Sequence, residues 1–238
     1  MNRPSVHPPA AGRFANRPYG LILCCLWLCV PAHAADVFNH PQSAEQLLKG
    51  PLAQPAAALR GAQLMRGKFV YKKYLREIPQ PLVSTGDFVF ARELGIDWHT
   101  REPFDSDFVL TAQGITQRDD GKTTVQVSAG EQPAVKIVAR IFLALLSLDV
   151  ASLQNSFALS GMQQGKPGSE KWQIGLRPTV PAIAAVFKEA TVSGAAQVEA
   201  LMLRDANGDR TEISFSDVLY SADVPAEDRA RFSGKAGK

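Results

Sequence analysis

The sequence predicts a mostly β protein, an antiparallel sheet interrupted by one very apolar helical segment, and three observations predict it. Between residues 68 and 127, apolar side chains recur at every second position in short runs separated by turn residues. Over residues 134–150 the pattern lengthens to helical spacing and becomes the most apolar stretch after the N-terminal one. Near the C-terminus, alternating runs flank Asp205-Ala-Asn-Gly-Asp209, a turn that closes a hairpin through the positive φ expected of Asn207-Gly208.

In chain order, residues 41–59 read as one or two short helices interrupted by Gly50-Pro51, with Ser43 as N-cap of the first. The strands follow. Lys68–Leu75 sets Phe69 and Tyr71 on one face, Asp87–Arg92 sets Phe88, Phe90 and Arg92 together, Ile96–Thr100 pairs Ile96 with Trp98, and Asp107–Thr111 pairs Phe108 with Leu110. Asp119-Asp-Gly121 is a turn into a weaker strand, Thr123–Val127. In the helix at 134–150, Lys136, Arg140 and Ser147 form one narrow polar stripe, so the helix needs burial on more than one side. It is too short and too charged to span a membrane. Lys171–Arg177 returns to strand, Ile183–Ala190 has no clear period, and Val198–Arg204 with Arg210–Ser216 makes the hairpin.

The N-terminus reads as an export signal. Residues 1–19 carry Arg3, Arg13 and Arg17 and no acid, an eleven-residue apolar core spans Gly20–Val30, and Ala32-His-Ala34 offers a small-x-small site. The expected organisation is a cleavable signal over 1–34 and a single domain over 35–238, placed in the periplasm. Cys24, Cys25 and Cys29 all lie in the signal core, so the mature chain would hold no thiol, disulfide or thiolate metal site. Cys24 follows leucine and Cys25 follows cysteine, where a lipid-anchored cysteine requires a small neighbour, so a soluble mature protein is expected. Losing three arginines brings Lys+Arg from 26 to 23, equal to the 23 acidic residues. A neutral chain lacks the basic footprint of nucleic-acid binding.

No constellation for catalysis emerges, and no cofactor is implied. The mature part has two histidines, His40 and His99, not at ligand spacing, and His99 faces away from Trp98 toward solvent. Gly121-Lys-Thr123 lacks the glycine that a phosphate loop needs at position 116. Asp205-x-Asn-Gly places its glycine too early for a calcium loop. Asp119/Asp120 and Glu199/Glu212 read as solvated turn and strand residues rather than acid–base pairs. What remains is an apolar surplus: Phe69, Tyr71, Phe88, Phe90, Trp98, Phe104, Phe108 and Trp172 on alternating strand faces, beside a nearly all-apolar helix. This is either an ordinary core or a curved sheet around a ligand cavity with the helix as lid.

Gly86-Asp-Phe-Val-Phe-Ala-Arg92, then Ile96, Trp98 and Pro103-Phe, then Val109-Leu-Thr and Gly114, resembles the outer-membrane lipoprotein carrier family. Gly67–Lys73 resembles its first long strand, and Trp172–Pro178 and the Asp-x-Asn-Gly hairpin resemble its C-terminal half. The resemblance implies a strongly curved antiparallel sheet, an unclosed barrel, covered by a lid that includes α-helices. It implies a soluble, monomeric carrier of an acyl chain from a lipoprotein or glycolipid, loaded by an inner-membrane donor complex and unloaded at an outer-membrane acceptor. The cavity and lid would comprise Phe69, Tyr71, Phe88, Phe90, Ile96, Trp98, Phe108, Leu110, Ile141, Phe142 and Leu145. Arg92 matches the arginine that reaches into the cavity and holds the lid shut through its carbonyls. The chain departs from the family at Glu93, where a proline usually follows the arginine, and at Gly114–Arg118, which lacks the usual aromatics. The competing reading is a periplasmic lipid-sensing or regulatory module gripping a membrane-protein partner.

Overall fold

The computed structural model describes residues 36–128, 130, 141, 143–165 and 171–232. Residues 1–35, which hold the expected export signal, and residues 131–140, the start of the expected apolar helix, lie outside the described residues. Compact units divide at Ala34/Ala35, and all that follows concerns the second.

Two short helices open the domain after a 3-10 turn at Val37–Asn39: α1 (Ala44–Lys49) and α2 (Ala53–Arg60). Ser43 caps α1 as expected. Its Oγ accepts from Gln46 N at 3.2 Å while the Gln46 side chain accepts from Ser43 N at 2.8 Å, a reciprocal capping box. Strands β1 (Leu64–Tyr74), β2 (Leu82–Ala91), β3 (Gly95–Glu102), β4 (Ser106–Thr111), β5 (Gly114–Asp119) and β6 (Lys122–Ser128) form a meander. Asp120 and Gly121 join β5 to β6 with φ of 50° and 74°, the doubly left-handed conformation of a two-residue hairpin turn.

Helical residues at 143–146 (α3) and a short α4 (Val150–Leu153) precede the second meander. It comprises β7 (Phe157–Gln164), β8 (Lys171–Pro178), β9 (Phe187–Gly194), β10 (Val198–Asp205) and β11 (Arg210–Ser221), with α5 (Pro181–Ala184) between β8 and β9. The last described element is α6 (Ala226–Phe232).

All eleven strands belong to one antiparallel sheet, ordered β6-β5-β4-β3-β2-β1-β11-β10-β9-β8-β7. The two meanders are stitched by the long β1–β11 pairing, and β6 and β7 are the edge strands, β7 meeting only a short bridge from residues 40–42 (Gly161 N to His40 O at 2.9 Å), so the strongly curved sheet is an unclosed barrel. α3 and α4 lie in the connection between β6 and β7, and their buried side chains join the core. Apolar residues of α1, α2, α3 and α4 and of the sheet's concave face merge into a single core.

Several expectations change. A continuous helix over 134–150 does not form: Leu148 adopts φ +51° and breaks it, and Asp149 restarts the chain by accepting from Ser152 N at 3.1 Å to cap α4. A buried leucine in the left-handed region persists only because packing on both sides fixes it. β2 ends at Ala91, so Arg92 lies in the following turn rather than in the strand. In the β10–β11 loop only Gly208, φ 95°, is left-handed; Asn207 is not. Gly208 N donates to Asp205 O at 3.0 Å and Asp205 N to Asp209 O at 2.8 Å, a three-residue loop in place of a tight two-residue turn. The stretch 183–190 without a clear period divides between α5 and β9 because Pro181 starts a helical turn that Phe187 ends.

Candidate functional site: an apolar interior and its rim

The concave face brings together residues from both halves of the chain. Period-two alternation carries Phe69 on β1, Phe88 and Phe90 on β2, Ile96 on β3 and Leu110 on β4 inward, where all are buried, and Leu145 of α3 meets them from above. Tyr71, Trp98, Phe108 and Ile141 pack against the same cluster while half-buried. Of the expected cavity and lid residues only Phe142 lies outside the described side chains.

At the centre, Phe69 stacks on Trp98 with ring centroids 3.9 Å apart. Phe88 meets Phe215 edge-on at 5.3 Å, and Trp98 meets Phe215 at 6.2 Å. These rings occupy the interior themselves. Phe215 and Ile213 were not among the expected site residues, although the alternation Ile213-x-Phe215 in the second hairpin arm is the signal that would have found them. Leu47, Leu52 and Leu59 from the N-terminal helices also join the cluster. Trp172 is buried, with Nε1 donating to Ala195 O at 2.6 Å. Phe104 does not belong here: it sits at the tip of the β3–β4 hairpin and is 79% exposed.

Arg92 stands at the rim. Its Nη2 donates to Leu59 O at 2.6 Å and its Nε to Ala62 O at 3.2 Å, fastening the β2–β3 turn to the end of α2. Main chain reinforces the join, Arg92 N donating to Gln63 O at 2.9 Å. A guanidinium cannot lose its charge, so beside an apolar interior it must find oxygen acceptors, and helix-end carbonyls are the ones available. A cleft of about 420 Å³ lies alongside, lined by Leu48, Leu59, Arg60, Arg92, Asp149 and Val150 among others. A second, of about 180 Å³, opens between α4 and α5 and is lined by Ile141, Leu153, Phe157, Val180 and Ile183 with Ser152 and Ser156.

The convex face is mixed: Val70 and Val83 stand exposed among polar neighbours, and Val37 and Phe38 of the 3-10 turn cover Gly175. His99 points outward as expected, but not freely into solvent: Nε2 lies 3.0 Å from Asp105 and Nδ1 3.0 Å from Asp107. Asp119 instead shares the concave side with Phe108, in register with Ser106; it accepts from Ser106 Oγ at 2.6 Å, Thr124 Oγ1 at 2.8 Å and Gln117 Nε2 at 3.1 Å, which together hold its carboxyl below the usual range. A carboxylate so occupied suits a strand-pairing role. A separate apolar patch lies under α6, where Leu64, Val89 and Ala91 are buried against Leu94, Val224 and Phe232. There Asp97, 5% exposed, pairs with Arg231 at 3.3 Å.

An open antiparallel half-barrel whose concave face, together with short helices, encloses one apolar core is the architecture of the lipoprotein-binding class of folds. The chain belongs to the family described as outer membrane lipoprotein carrier protein LolA, whose sequence model matches residues 60–228. Comparison with curated proteins gave no match. Among solved structures, it is similar to a putative outer membrane lipoprotein-sorting protein domain from Vibrio parahaemolyticus, at 10% identity over 80% of this chain and 97% of that one, TM-score 0.38. A LolA superfamily protein from Nitrosomonas europaea matches at 7% identity over 73% and 96%, TM-score 0.35. MucB of Pseudomonas aeruginosa, solved in complex with MucA, matches at 18% over 78% and 59%, TM-score 0.33. Family membership rests on the sequence match.

Proposed function

We propose that the protein is a periplasmic carrier that shields the acyl chain of a lipoprotein or another lipid-linked molecule and moves it from the inner to the outer membrane. The observation that carries this reading is the continuous apolar interior, closed at its rim by the hydrogen bonds of Arg92 to the carbonyls of Leu59 in α2 and Ala62 just after it. Such a closure rests on few polar contacts, so an acyl chain that displaces the interior rings can open it, and burial of each methylene offsets about 0.8 kcal/mol of the cost. No nucleotide enters this scheme. Transfer runs down a ladder of affinities from donor to carrier to acceptor, each tenfold step corresponding to about 1.4 kcal/mol. Residues 1–34 act as the cleaved export signal.

Protein recovered from the periplasm, examined by native mass spectrometry, should carry lipid mass, and purified protein should move a fluorescent acylated peptide between vesicles. Absence of bound lipid together with failure to bind a fluorescent fatty acid would remove the carrier reading. Lipid binding without transfer, accompanied by a stable complex with a membrane-protein partner, would replace it with a regulatory module.

A further inference from the structure

The interior is approached by two clefts that differ in chemistry. The one beside Arg92 is lined by Arg60, Arg92 and Asp149, and a methylene chain passing there would strip water from three ionised groups. Among the described residues the α4–α5 cleft is lined by no ionised group, only by aliphatic and aromatic side chains with the hydroxyls of Ser152 and Ser156. It leads to Phe157, which stacks on Phe187 at 5.8 Å, and both belong to the main apolar cluster.

The cover of this second cleft is light. α5 has four residues, Val180 gives it no side-chain cap, and Ile183 is its one buried side chain. Val180 and Val186 flank it with 36% and 58% of their surface exposed, an apolar border where polar residues would serve solubility better. Backbone bonds pin α5 just outside its ends, Thr179 N to Ser156 O at 2.9 Å and Ala206 N to Val186 O at 3.1 Å. Between these pins the helix is free of side-chain hydrogen bonds to its neighbours among the described contacts. By strand direction it lies at the end of the sheet opposite the Arg92 turn.

We propose that an acyl chain enters the interior through the α4–α5 cleft, with α5 as its gate and Ile183 as the plug it displaces. Arg92 then fastens the far end and does not stand in the path. The proposal rests on the carrier reading and names the entry of that same site.

Photolabelling tests it directly. The purified protein is incubated with palmitate bearing a diazirine at its terminal carbon or, separately, at mid-chain, then irradiated and mapped by mass spectrometry. Adducts of the mid-chain probe on residues 152–157 and 180–187 are expected. Bound probe whose adducts fall only on α2 and the Arg92 turn would overturn the portal and leave the carrier reading standing. No binding at all would overturn both. Ala182→Trp, which crowds the cleft mouth, should slow uptake of a fluorescent fatty acid at least tenfold, against less than twofold for Leu48→Trp beside Arg92. Equal slowing by both would also overturn the portal, and the photolabelling of unaltered protein stands whether or not either variant folds.

Discussion

Arg92 donates from Nη2 to the carbonyl oxygen of Leu59 at 2.6 Å, joining a β-turn to the end of a helix across the rim of the apolar interior. Leu59 O also accepts from Ala62 N at 3.2 Å, so removing the arginine does not orphan that carbonyl. Arg92→Leu should therefore cost about 1–2 kcal/mol of stability, a fall in Tm of roughly 3–8 °C by calorimetry. If these bonds compete with cargo, the variant should bind a fluorescent fatty acid several-fold more tightly and release it to acceptor vesicles more slowly. Unchanged release would take Arg92 out of the mechanism.

The Phe69–Trp98 stack supplies a reporter for cargo. Any chain that lodges between strands β1 and β3 must separate the two rings. In a Trp172→Phe background, fatty-acid titration should change the emission of Trp98 saturably. Phe69→Ala, which empties a fully buried position, should lower stability by about 3–5 kcal/mol and leave room for cargo at once. An emission insensitive to bound lipid would place the chain elsewhere in the interior.

Strand alternation made most of the concave face legible, because a half-barrel with one buried face obeys period two residue by residue: Phe69, Phe88, Ile96 and Leu110 follow it without exception. β7 was not legible. Phe157-Ala-Leu-Ser-Gly-Met-Gln-Gln164 alternates, but its small residues and glutamines hide the pattern, and Gly161 is required where Leu47 of α1 packs directly on the strand, 2.2 Å from where a Cβ would stand. Helix α6 was equally hidden, since one face meets solvent and the other buries Asp228 rather than a row of aliphatics. The break at Leu148 carries no sequence signal either, as neither glycine nor proline marks it; the fold imposes it. Arg92 could be singled out by resemblance, but its acceptors, Leu59 in α2 and Ala62 just after it, 33 and 30 residues upstream, depend on tertiary packing alone.

Gly86 fixes the β2–β3 register. A Cβ there would stand 1.9 Å from the carbonyl oxygen of His99 and 2.9 Å from the ring of Phe69. The oxygen belongs to the neighbouring strand and cannot turn aside without breaking the ladder. Gly86→Ala should cost more than about 3 kcal/mol and sharply reduce the yield of folded protein. A variant with unchanged Tm would mean that β2 and β3 pair in another register.

Asp97 makes stability depend on pH. Burial beneath α6 is the main cause of a carboxyl held above its ordinary range, with Asp107 pushing the same way and Arg231 and His99 pulling it back. Its Oδ1 has no hydrogen-bond partner. An acid whose folded value exceeds its unfolded one favours the fold when protonated. Its contribution is complete below the unfolded value and is lost as pH rises through the folded one. Asp97→Asn keeps the shape without the charge and cannot lose stability in that window. The difference in Tm, variant minus parent, should therefore be more positive at pH 7 than at pH 4. Arg231→Gln, which strips Asp97 of its ion-pair partner at 3.3 Å, should act in the opposite sense, lowering Tm at pH 7 more than at pH 4. Parallel pH profiles for parent and both variants would show that Asp97 is not the group responsible.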